Sequence, residues 1–234
     1  MPTAARDHYS RVMPALLDFL GLLDADELRD LEAVGSARHA ARGQAVLSEG
    51  QVPDRVLVLR AGHVKVVASG PEGNEVVLTF RGPGSLLGEQ AVVDGAPRSA
   101  AVVAVEPLDL LVVPASAFRR YLDEHPRVAL ALVAMLSRRL RDSDRRLVQF
   151  ATSDTLGRVA ARLVELCEEH GERAGNGDVR IALPLTQEDL AGWTGSSLES
   201  TAKALRVMRR LQWISTGRRA ITVHDLDALR GRAA

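Results

Sequence analysis

The chain has 234 residues, 46% of them hydrophobic, which is enough for two compact domains or one large one with a real core. Thirty basic residues balance thirty acidic ones, so bulk charge argues for neither nucleic-acid nor membrane binding, and any DNA contact must come from a local patch. A single cysteine, Cys167, excludes an internal disulfide, and no Cys or His cluster has metal-ligand spacing; both point to a reducing cytoplasm and to no metal.

Near the N-terminus, Val12 to Leu23 is apolar, but Asp18 interrupts it and no small-residue cleavage site follows a basic start. The expectation is neither a signal peptide nor a transmembrane span. From about Arg38 to Pro114, short β-type runs alternate with glycine and proline: RVLVLRAG, HVKVVAS, NEVVLTF, RSAAVVAV and LDLLVVP. That spacing predicts an antiparallel roll or barrel. Alternation places Val64, Val66 and Ala68 on one face of the second run, and Val76, Leu78 and Phe80 on one face of the third.

Pro126 then opens a helical stretch that reaches about Ala151 without internal glycine or proline. Ala129, Val133, Leu136, Leu140, Ser143, Leu147 and Phe150 follow one another at steps of 4, 3, 4, 3, 4 and 3, the seam of a coiled coil with one polar member. A helix packed on its own roll would want a broader apolar face. The many arginines beside this narrow seam favour a second helix as partner, hence a dimer. After a break at Ala151 to Asp154, Ser153 or Asp154 can cap a further helix running to Gly171, and GERAGNGD reads as a flexible polar loop before a short strand, VRIALPL.

The segment TQEDLAGWTGSSLESTAKALRVMRRLQWI reads as a helix-turn-helix. Thr186 with Asp189 caps the first helix, Gly195 makes the turn, and Ser196 with Glu199 is expected to form the capping pair of the second. Ala191 is small where the helices cross, and Leu190, Ala204, Leu205 and Met208 supply packing. The second helix then offers Ser197, Leu198, Glu199, Ala202 and Lys203 to the major groove. Between Gly195 and Arg219, six basic residues (Lys203, Arg206, Arg209, Arg210, Arg218, Arg219) face one acid, Glu199, a local net charge of +5 suited to phosphates. WISTGRRAITV follows as a hairpin with Arg218 and Arg219 at its tip, a wing. No nucleophile elbow, P-loop or metal-ligand set suggests an enzyme.

In this order of elements, and above all in GEQAVVDGAPRSA (residues 88–100), the chain resembles the Crp/Fnr family of bacterial regulators over nearly its whole length. The resemblance implies an α+β chain. Its parts are an antiparallel β-roll of the cyclic-nucleotide-binding, double-stranded β-helix or jelly-roll type over residues 1–125, a dimerisation helix over 126–152 and a winged helix-turn-helix over 153–234. It also implies a homodimer, double-stranded DNA and RNA polymerase as partners, and a non-covalent cyclic nucleotide effector, cyclic AMP first and cyclic GMP second. The residue chemistry agrees: Arg98 and Ser99 suit a phosphodiester anion, Glu89 can accept from a ribose hydroxyl, and Gly88 permits close backbone approach. Glu89 and Arg98 could instead pair with each other and only staple a loop.

Three departures from the family pattern stand out. Gln90 replaces an apolar residue of the cassette. Where the cyclic-AMP receptor protein offers a Thr-Ser pair to the base, this chain has Ser143 and Asp144, and Asp144 can only accept. On the recognition helix, Leu198 offers no hydrogen bond, whereas Glu199 can accept from cytosine and Lys203 can donate to guanine. Cysteines for an iron-sulfur cluster are missing, and no histidine sits in a haem motif. Two alternatives stay open: a regulator that binds DNA without a nucleotide, and a nucleotide-binding module acting on a protein partner.

Overall fold

The computed structural model describes residues 19–70, 73–217 and 220–233. Most of the Val12–Leu23 stretch, through residue 18, lies outside the described residues. The described residues separate into two compact units, 19–68 with 80–141 and 69–79 with 142–233.

In the first unit, α1 (Ala25–Ala33) is closed at its N-terminus by a capping box between Asp24 and Glu27. It leads into the roll: β1 (Ser36–Ala40), β2 (Ala45–Leu47), β3 (Arg55–Ala61), β4 (Val64–Ser69), β5 (Glu75–Arg81, which the division at residue 80 assigns mostly to the second unit), β6 (Leu86–Leu87), β7 (Ala101–Ala104) and β8 (Leu108–Pro114). Two four-stranded sheets result, ordered β1-β8-β3-β6 and β2-β7-β4-β5, antiparallel in the registered pairs.

The run VLVL in β3 shows no polar alternation because both of its faces are covered. Leu57 and Leu59 point into the roll with Leu47, Val64, Leu87, Val102 and Leu110. Val56 and Val58 point the other way, against a layer built from Phe19, Leu31, Phe118, Val128, Leu132 and Met135. Apart from Phe19, which precedes α1, that layer comes from α1, α3 (Ala115–Glu124) and the start of α4 (Pro126–Thr152). Burial does not follow the alternation of β4 and β5. Val77, Thr79 and Phe80 are buried whereas Leu78 is 41% exposed, and in β4 the fully buried pair is Val64 and Val67.

In the second unit, Asp154 rather than Ser153 caps α5 (Thr155–His170), accepting from the Gly157 amide at 2.8 Å. The expected loop after it is structured. β9 (Gly171–Arg173) pairs with β10 (Val179–Ile181) in an antiparallel hairpin, whose polar turn includes Gly177 at φ +91°. Then come α6 (Gln187–Thr194), α7 (Leu198–Arg210), β11 (Ile214–Gly217), β12 (Ala220–Val223) and α8 (Leu226–Ala233), with the strands ordered β11-β12-β10-β9. The last helix, unforeseen in the sequence, packs along α5 with Leu229 fully buried, and Arg232 pairs with Asp154. Among the described residues no helix is long and apolar enough to cross a membrane, and no group of residues is arranged to hold a metal ion.

Candidate functional site

The segment 88–100 forms a compact polar cluster in the first unit. Gly88, at φ +78°, begins α2 (Glu89–Asp94), and a Cβ there would sit 2.7 Å from Leu47 and collide with the Arg98 guanidinium. Glycine is therefore required twice over, by the left-handed backbone and by the close approach. Arg98 is buried, its side chain 2% exposed. Its Nη1 donates to the Gly88 carbonyl at 3.3 Å, and its Nη2 to the Arg55 carbonyl at 2.7 Å and to Asp54 at 3.3 Å. Its Nε is buried without a partner. Ser99 beside it is exposed, as is Gln90, so the apolar position lost in the cassette disturbs no packing.

Glu89 and Arg98 do not pair with each other. The buried Glu89 carboxylate receives Nη1 of Arg139 from α4 at 2.5 Å, and that guanidinium also donates to the Leu86 carbonyl at 3.2 Å. Arg139 and Asp54 are the residues that sequence reasoning missed. Arg139 lay hidden among the six arginines of one helix; its spacing of one turn from Ser143 was the available signal. The Arg55 side chain pairs with Asp54 at 2.6 Å, so Arg55, Arg98 and Arg139 stand against Asp54 and Glu89, which leaves one positive charge among these five. A monoanion would neutralise it, and the orphaned Arg98 Nε is a donor still to be used. The residues therefore fit a phosphodiester. Ser143 and Asp144 are both exposed and belong to the second unit.

In that unit the helix-turn-helix is closed as its spacing predicts. Thr186 and Asp189 form the capping box of α6, and Gly195 adopts a left-handed turn at φ +58°. Leu190, Ala191, Ala204, Leu205 and Met208 are all buried. The expected capping pair of α7 is displaced by one residue. Ser197 is the cap, accepting from the Ser200 amide at 3.1 Å, while Ser196 turns away to receive Arg158. Glu199 takes no part in the cap and is exposed together with Ser197, Leu198 and Lys203; Ala202 is half-buried. Arg206, Arg209 and Arg210 are exposed as well. Strands β11 and β12 form the wing, but Arg218 and Arg219 lie outside the described residues.

Residues 37–125 match the cyclic nucleotide-binding domain family, and residues 157–232 match the Crp-like helix-turn-helix domain family. A CRP-like cAMP-activated global transcriptional regulator of Mycobacterium tuberculosis is 31% identical over 192 residues, covering 82% of this chain and 85% of the relative. The cyclic AMP receptor protein of Thermus thermophilus is 28% identical over 188 residues, or 80% and 83% of the two chains. The crystal structure of a transcriptional regulator of the CRP/FNR family, also from Thermus thermophilus, superposes with a TM-score of 0.69 at 28% identity, covering 85% of this chain and 98% of that one.

Proposed function

Since the chain belongs to the Crp/Fnr family of transcription regulators, with a cyclic nucleotide-binding domain and a DNA-binding helix-turn-helix, we propose that a cyclic nucleotide gates its binding to DNA, cyclic AMP first and cyclic GMP second. On this reading residues 1–125 sense, 126–152 dimerise and 153–234 read DNA, in the cytoplasm and with RNA polymerase as protein partner. The observation that carries it is the buried Arg98 guanidinium with an unused Nε–H, in a cluster that carries one surplus positive charge. Arg98 and the Ser99 hydroxyl take the phosphate, Gly88 gives the backbone room, and Glu89, steered by Arg139, accepts from the ribose. This reading assigns Ser143 and Asp144 to the base; an acceptor-only carboxylate suits the exocyclic amine of adenine or the N1 and N2 donors of guanine.

Titration calorimetry of ligand-free protein with each nucleotide tests the reading. Heat with the wild type and none with Arg98→Ala is expected; no heat with either nucleotide would overturn it.

A second reading is favoured by the internal partners of both anchors, Asp54 on Arg98 and Arg139 on Glu89. These pairs could hold the cassette closed as a structural staple in a regulator that binds DNA without a nucleotide. DNA binding of ligand-free protein at full strength, unchanged by either nucleotide, would select that reading.

A further inference from the structure

The first turn of α5 carries an arginine that the sensor and DNA-reading assignments leave unused. Arg158 donates from Nε to the Thr194 carbonyl at 2.8 Å, from Nη1 to the Ser153 carbonyl at 2.7 Å, and from Nη2 to Ser196 Oγ at 3.1 Å. A longer contact, 3.5 Å, reaches Thr155 Oγ1. Thr194 is the last residue of α6, and Ser153 directly follows α4. One guanidinium thus satisfies carbonyls at the C-terminal ends of two helices, where such groups lack intrahelical partners and the helix dipole favours a cation. The same group lies 5.0 Å from the ring centroid of Phe150, and a Cβ added at Gly195 would sit 2.6 Å from that ring. Phe150 is 55% exposed, so only part of it is used by this junction.

We propose that Arg158 is a positioning residue for DNA reading: it locks the turn between α6 and α7 to the end of α4 and so sets the angle at which α7 meets the groove. The residues it holds, Thr194 and Ser196, immediately precede the cap Ser197 and the base-facing Leu198, Glu199 and Lys203. Side chains that read base edges tolerate errors of only about 0.5 Å and 10–20°. Freeing this turn therefore removes sequence discrimination before it removes charge. Phe150 is also the last member of the α4 seam. Lysine cannot substitute, because a point charge lacks the planar fork that reaches several acceptors while stacking on a ring. The proposal rests on DNA reading by α7 and is independent of which effector binds the sensor.

The test uses the full-length protein, without nucleotide and with saturating cyclic AMP or cyclic GMP, and a duplex that the wild type enriches from random DNA in one of these conditions, with a scrambled duplex of equal length and composition as reference, all in the same salt. Arg158→Lys, Arg158→Gln and Phe150→Leu are compared with wild type for affinity to each duplex, for melting midpoint and for salt slope. Expected is a loss of about tenfold or more in the ratio of specific to scrambled affinity for both Arg158 variants, and a smaller loss of the same kind for Phe150→Leu. Scrambled-duplex affinity and salt slope should stay near wild type for Arg158→Lys, which keeps its charge; the melting midpoints identify which variants are folded. An unchanged ratio in the folded variants would overturn the proposal. So would an equal loss on both duplexes with a slope smaller by about one, the mark of a plain phosphate contact. A wild type that enriches no sequence with saturating cyclic AMP, with saturating cyclic GMP or with neither would defeat DNA reading itself, and the proposal with it.

Discussion

At the scale of single residues, the sites are arginines that each bind backbone carbonyls as well as side chains. Arg98→Lys keeps the charge but not the fork. It should weaken cyclic nucleotide binding by about 1.5–3 kcal/mol, the worth of a lost charge-assisted hydrogen bond, as read by calorimetry. Ser197 and Glu199 separate capping from reading. Ser197→Ala removes the cap of α7 and should cost about 1 kcal/mol in a denaturation curve. Glu199→Ala, exposed and outside the cap, should leave melting unchanged and lose about 1–3 kcal/mol of discrimination at one base pair in a binding-site selection. Asp154 bears on acid stability: the Gly157 amide and the Arg232 guanidinium hold its carboxyl below the ordinary value of 3.8. A depressed carboxyl contributes stability that is present above its ordinary range and lost as pH falls through its lowered value. Asp154→Asn should therefore lower the melting midpoint at pH 7 and make little difference at pH 2. Burial pushes the Cys167 thiol up to about 12, so it should resist alkylation until the chain unfolds.

At the scale of elements, α4 has two apolar stripes. Val128, Leu132 and Met135 enter the core of the first unit, whereas Val133, Leu140 and Leu147 are 58%, 63% and 69% exposed. The two stripes predict opposite phenotypes. Leu132→Ala should destabilise the sensor by about 2–5 kcal/mol through the cavity it leaves. Leu140→Glu should leave the unit's own stability nearly intact yet shift sedimentation from dimer to monomer, because it would put two unpaired charges into the seam. An unaltered dimer would show that the seam lies elsewhere.

At the scale of the whole molecule, a chain of zero net charge concentrates its positive charge on the DNA-facing element. DNA affinity should fall steeply with salt, while nucleotide affinity, set by a buried cluster, should change little. A two-fold dimer would present two copies of α7, so selected operators should be inverted repeats with half-sites roughly 34 Å apart. At the position faced by Leu198, preference should be weak or favour a thymine methyl. A single unrepeated half-site of full affinity would count against the two-fold arrangement.

What the sequence by itself determined was everything that rests on local spacing. The glycine-punctuated strands, the long helix opened by Pro126, the Thr186–Asp189 box and the Gly195 turn follow from steric and hydrogen-bonding rules that act within a few residues, and each is found where its pattern places it. The tertiary structure decided which groups meet across long separations. Asp54 reaches Arg98 across 44 residues, Arg139 reaches Glu89 across 50, and Arg158 reaches Ser196 across 38. No periodicity records such pairings. Burial in β5 likewise departs from strict alternation, since Thr79 and Phe80 are neighbours and both buried, and only the surrounding packing decides that. The cap of α7 moved from Ser196 to Ser197 because Arg158, 38 residues earlier, claims the Ser196 hydroxyl. Long side chains with several donors are the groups a sequence places least well, because their partners are chosen by the fold and not by their neighbours in the chain.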